Sequence, residues 1–182
     1  MGINLHSRTS SGKILSHPFS QGKGGNMALF TFPRTYTVEI SPLDFRLVGV
    51  HCTLVDPYHH LEMDLVLDAS KPEAMVVKEA KAFMARAPYP VCREPLERVK
   101  ELEGLKVERG IRRTVTRLLG GPKGCVHLVD MFMEGIRLAI QGVVVVWSEN
   151  LPPEEGEKLR RRILGGVCIA YPALESSGLS AL

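Results

Sequence analysis

A chain of 182 residues with 45% hydrophobic and 24% charged side chains has the size and composition of one globular domain, alone or with a tail. Those values exclude a wholly disordered chain, a collagen and a small disulfide scaffold. The net charge of +3 is too mild to argue for nucleic acid as a partner.

The segment 1–27 carries basic residues and no acid, and its Ser10-Ser11-Gly12-Lys13 and Gln21-Gly22-Lys23-Gly24-Gly25-Asn26 stretches read as a disordered basic tail. Neither stretch is a phosphate-binding P-loop, and no apolar core of a signal peptide is present. Met27 is a candidate start. The longest apolar run, Leu138 to Trp147, is interrupted by Gln141 and is too short to span a bilayer, which takes about 20 residues. The expectation is a cytoplasmic protein with reduced cysteines and no membrane partner.

Two strand candidates follow the tail. Thr35–Ile40 alternates apolar and polar residues, and Phe45–Val55 is rich in Phe, Leu, Val and Thr. Asp56-Pro57-Tyr58-His59-His60 breaks the run with turn residues, and Leu61–Leu67 resumes it, so a meander of at least three antiparallel strands is predicted. Residues 71–86 admit two readings. Ser70-Lys71-Pro72-Glu73 fits a capping box that would open a helix through Met84, while Met75–Ala80 fits a strand equally well. The prolines Pro88 and Pro90 predict a rigid loop holding Cys92, and Pro95 predicts a short helix, Leu96–Glu103, stopped by Gly104.

Lys106–Leu119 reads as a strand or a short helix, and Gly120–Gly124 as a loop. The longest predicted helix starts near Cys125 and runs to about Trp147, with Leu128, Val129, Phe132, Ile136, Ala139, Ile140 and Val143 at the spacing of a buried stripe. A last helix, Pro152–Leu164, has acids in its first turns and Arg160, Arg161 and Arg162 near its end, complementing the helix dipole. Val167–Pro172 reads as extended.

The sharpest chemical feature is Gly124-Cys125-Val126-His127-Leu128 at the head of the long helix. A helix N-terminus has unpaired N–H groups and a positive dipole end, which favour an anion or a thiolate there. Cys92, Cys125, His127 and Cys168 together make a Cys3His set that suits zinc or an iron–sulfur cluster. Against this stands the ordinary fate of cysteine, burial as a small hydrophobe, and the long gaps between these candidates. Cys52 falls inside a strand pattern and is read as core. His59 and His60 are read as a solvated hairpin, and Asp64 and Asp68 as an exposed strand edge.

The second feature is charge. Lys106, Arg109, Arg112, Arg113, Arg117 and Lys123 stand against Glu108 alone over residues 106–123. With Gly121 and Gly124, the side chains of Arg112, Arg113 and Lys123 would bind an anionic small molecule, a phosphate or a coenzyme A-like ligand. A solvated basic face is the plainer reading. No aromatic residues interleave with these charges, so no nucleic acid is expected.

Gly124-Cys125-Val126-His127-Leu128, with Val126 in place of Thr, resembles the Gly-Cys-Thr-His-Leu segment of a bacterial domain-of-unknown-function family. Pro88-Tyr89-Pro90-Val91-Cys92, Leu102–Gly110 and Cys168-Ile169-Ala170-Tyr171 add to the resemblance, which covers residues 30–172. It implies a strand, not a helix, before Pro88, and it implies no established reaction. A more distant likeness is to the NifU and IscU iron–sulfur scaffolds, which also place a Gly-Cys element at a helix start behind a small antiparallel sheet. The Cys-Gly-Asp element of those scaffolds is absent here.

The expectation is a single α+β domain over residues 28–175, a small antiparallel sheet with two longer helices packed on it, and a flexible C-terminus at 176–182. Three functions follow from the residues: metal or iron–sulfur handling through the Cys3His set, an enzyme or sensor with Cys125 as nucleophile beside the Gly120–Gly124 loop, and an interaction module that forms homo-oligomers through Val143–Trp147.

Overall fold

The computed structural model describes residues 32–71, 74–167 and 169–172. Four strands, β1 (Thr35–Pro42), β2 (Leu47–Val55), β3 (His60–Asp68) and β4 (Val76–Arg86), form an antiparallel sheet in the order β1-β2-β3-β4. A 3-10 segment follows at Pro90–Leu102, then the helices α1 (Ile111–Leu119), α2 (Val126–Glu149) and α3 (Pro153–Leu164). The α+β class and the antiparallel sheet are as the sequence predicts.

The sheet has one covered and one open face. Val48, Val50, Cys52 and Leu54 on β2 and Leu61, Met63, Leu65 and Leu67 on β3 are buried, as strict alternation requires. Their cover is α2, which buries Leu128, Met131, Phe132, Ile136, Ala139 and Val143. At 24 residues it is about 36 Å long, so it reaches across the sheet and beyond it. Gly135 sits where helix and sheet come closest: a Cβ there would stand 2.8 Å from Cys52 Sγ and 3.2 Å from Val50 Cγ1.

The segment 76–86 is a strand, and the capping-box helix does not form. A register irregularity opposite Val66/Leu67 explains the ambiguity; a second, opposite His60/Leu61, lies beyond Met84. The extra residue, Lys78, sets Val77 and Ala80 three apart, and Ala82 is only half-buried, so Met84 is the next buried side chain four on and the buried positions follow the helical period. Pro72 and Glu73 lie outside the described residues.

Cys92 is on the 3-10 segment rather than on a loop, with its N–H donating to the Tyr89 carbonyl at 3.1 Å. The element opens at Pro90, not Pro95; a proline in the first turn sacrifices no helical hydrogen bond. This segment and the chain after it cover the outer edge of β4. Arg93 donates to the carbonyls of Met84 and Ala85, and Val77 exchanges backbone bonds with Leu105 and Gly104 at 2.9 and 2.8 Å. Lys106 bridges Val76, and the helix α1 begins only at Ile111, so 106–119 is an extended piece followed by a helix.

The last helix packs on the end of α2. Gly156 permits this, because a Cβ there would collide with the Ser148 carbonyl. Arg160 donates to Ser148 Oγ at 2.8 Å, and Ser148 donates to the Val145 carbonyl at 2.9 Å.

Candidate functional site

The turn between β2 and β3 is built on one carboxylate. Asp56 Oδ1 accepts the backbone N–H groups of Tyr58 and His59 at 2.8 and 2.7 Å, the aspartate turn that an Asp-Pro start favours. The same side chain accepts His59 Nδ1 at 2.9 Å and the Arg34 guanidinium at 2.7 and 2.9 Å. Its side chain is fully buried. Burial would raise this carboxyl, but the hydrogen bonds from Tyr58, His59 and Arg34 outweigh it and hold Asp56 well below the usual carboxylate range. Arg86 completes the knot by donating to the Asp56 carbonyl at 2.7 Å.

His59 is therefore not part of a solvated hairpin. Its side chain is 12% exposed, because Asp56 turns the ring inward. His60 does face solvent, 3.2 Å from Glu62. Asp64 lies on the open face of β3, a central strand rather than an edge, and pairs with His51 at 2.7 Å. Asp68, at the end of β3, accepts from Ser70 and faces Arg46 at 3.5 Å.

The inward ring of His59 meets His127. Their centroids are 4.3 Å apart at an interplanar angle of 64°, an edge contact. His127 in turn places Nδ1 3.8 Å from Cys125 Sγ. Cys125 is the N-cap of α2 with extended backbone, φ −137° and ψ 119°, which lets residues two apart face one point. Burial, then the neighbouring His59 and Arg34, lower the His127 pKa, so its imidazole is neutral near neutral pH. The result is a line of side chains, Asp56–His59–His127–Cys125, from a buried carboxylate to a half-buried thiol.

The loop before Cys125 is tightly closed. Cys125 N–H donates to the Leu119 carbonyl at 2.7 Å and Gly124 N–H to the Gly121 carbonyl at 3.0 Å. Gly121 has φ +75°, and at Gly124 a Cβ would collide with the carbonyls of Leu119 and Gly120. These two N–H groups are thus committed to closing the loop. Arg112 and Arg113 are exposed on α1, Arg112 being 4.0 Å from Asp130, and Lys123 is exposed in the loop.

Of the Cys3His set, the structure brings Cys125 and His127 together. Cys92 and Cys125 are free thiols, and Cys168 lies outside the described residues. Among the described residues no group of three His, Cys, Asp or Glu side chains is placed to hold a metal ion. Cys52 is core as predicted, and burial pushes its thiol up to about 12. In the stretch Val143–Trp147, Val143 and Val144 are buried, while Val145 and Val146 are exposed. No helix among the described residues is long and apolar enough to cross a membrane.

Sequence reasoning missed Asp56, Arg34 and the inward turn of His59. Asp56-Pro57 was a local signal for the turn; nothing local announced that Arg34 and His127, far apart in sequence, converge on it.

The family model described as "Protein of unknown function (DUF2889)" matches residues 39–141, and the chain belongs to that family. The match takes in Asp56, His59, Cys125 and His127 and leaves out Arg34 and α3. No curated protein and no solved structure matches the chain.

Proposed function

We propose that this family member is an enzyme that uses Cys125 as a nucleophile toward an anionic acyl donor, with His127 as its base. The carrying observation is the Cys125 Sγ–His127 Nδ1 approach of 3.8 Å at the head of α2. A neutral imidazole accepts the thiol proton as sulfur bonds to the acyl carbon; it returns that proton to the leaving group, and water then splits the thioester. His59, fixed by Asp56, positions the His127 ring. Arg112, Arg113 and Lys123 supply charge for a phosphate or coenzyme A-like moiety.

Alkylation by iodoacetamide, followed at each cysteine by mass spectrometry, tests this. Cys125 should react about tenfold faster than Cys92, and phosphate or coenzyme A should slow it. His127→Ala should remove most of that advantage. Equal rates at Cys92 and Cys125, or indifference to His127→Ala, overturn it.

A second reading, a zinc or iron–sulfur site of Cys92, Cys125, His127 and Cys168, draws on the same pair, since a thiolate and an imidazole this close suit adjacent corners of a tetrahedral ion. Metal analysis of protein purified without air separates the two: about one equivalent of zinc or iron, lost in Cys125→Ser, favours the metal. A surface for homo-oligomers at Val145 and Val146 belongs to the same set of proposals, and the solution mass of Val146→Glu against the parent chain tests it.

A further inference from the structure

A different part of the molecule carries an independent inference. Between the start of α1, the middle of α2 and the end of α3 lies an open cleft of about 770 Å³. That is within the range of small-molecule sites, roughly 300–1,000 Å³. Ile111, Met133 and Ile140 contribute to an apolar floor, and Arg109, Arg137 and Arg162 stand with Glu108 around it. The Cys125 cluster is elsewhere: Arg137 lies about 18 Å farther along the axis of α2.

Not every charge around this cleft has a protein partner. Arg137 is taken by Glu134 at 2.8 Å. On α3, Arg160 and Arg161 pair with Glu157, and Arg160 also reaches Ser148. The side chains of Arg162, next in the chain, and Arg109, before α1, are solvent-exposed and make no hydrogen bond or ion pair among the described residues. A cation in the last turn of α3 complements the helix dipole, but that does not account for a second unpartnered guanidinium facing the same apolar floor.

We propose that this cleft binds an amphipathic organic anion, an aliphatic carboxylate whose chain lies on the apolar floor and whose head is held by Arg109 and Arg162. Guanidinium matches carboxylate in a fork of parallel hydrogen bonds, and an apolar floor beside it lowers the dielectric in which they form.

Titration calorimetry of the full chain with decanoate tests the proposal, with decanol as the uncharged probe. Decanoate should bind at least about tenfold more tightly than decanol, which corresponds to one charge-assisted contact. Arg162→Gln and Arg109→Gln should each weaken decanoate by about tenfold and leave decanol unchanged, while Lys81→Gln, on the far face of β4, changes neither. Met133→Trp should abolish decanoate binding by filling the floor, with unchanged circular dichroism as the check on folding. Equal binding of the two probes, no binding at millimolar decanoate, or unaltered affinity in both arginine variants overturns the assignment. None of these outcomes depends on the reactivity of Cys125, so the two proposals fail separately.

Discussion

At the scale of single residues, Asp56 is where charge, burial and geometry meet. Its carboxylate is buried and accepts from two backbone N–H groups, one imidazole and one guanidinium. Asp56→Asn keeps the shape but loses the charge, and should cost about 2–3 kcal/mol in urea unfolding at pH 7. Because the folded carboxyl lies below its unfolded value, this contribution is present above about pH 4 and is lost as pH falls further; the Asn variant should flatten that part of the profile. The two histidines His51 and His127 are shifted in opposite directions. The hydrogen bond to Asp64 raises His51, so its contribution is present below about pH 6.5 and fades as pH rises. Burial lowers His127, so the unfolded chain takes up that proton first, and stability falls as pH drops below about 6.5. Ring-proton NMR titrations read both directly; a His127 midpoint above that of His51 contradicts the assignment.

At the scale of elements, two glycines of α2 give opposite expectations. Gly135→Ala pushes a methyl against Cys52 Sγ and Val50 and should destabilise by about 1–3 kcal/mol in thermal unfolding. Gly142→Ala meets Ile40 at an ordinary 3.4 Å and should be neutral or stabilise by up to about 1 kcal/mol, from helix propensity. Gly124→Ala should displace the loop carbonyls and with them Cys125, slowing alkylation there even in chains that remain folded. The elements legible in the sequence were those with an undisturbed period. The alternation in β2 and β3 and the long stripe of α2 were plain, whereas β4 hid because one extra residue, Lys78, and a small half-buried Ala82 gave its buried side chains the spacing of a helix. The pair Cys125 and His127 was legible because two residues at a helix start are neighbours in any fold. Its extension to His59 and Asp56 was not, because it depends on α2 crossing the sheet at one end.

At the scale of the molecule, β2 and β3 are flanked by strands on both sides and roofed by α2, while among the described residues no strand pairs with the outer edge of β1 and α3 packs mainly on α2. Amide exchange should therefore be slowest in β2 and β3 and fastest in α3 and β1. Rapid exchange in Leu61–Leu67 would contradict this arrangement.

The knot at Asp56 has a consequence for how the protein comes apart. Arg34 precedes β1, Arg86 ends β4 and Asp56 joins β2 to β3, so one carboxylate and one carbonyl suture the termini of all four strands at the end where Cys125 lies. The other end is held by the Asp44 turn and by the exposed contacts of Arg46 with Ser70 and Asp68, with Phe45 left 83% exposed. On warming, the sheet should unzip from the Asp44 hairpin, and the reactivity of the thiol should outlast the first loss of strand signal.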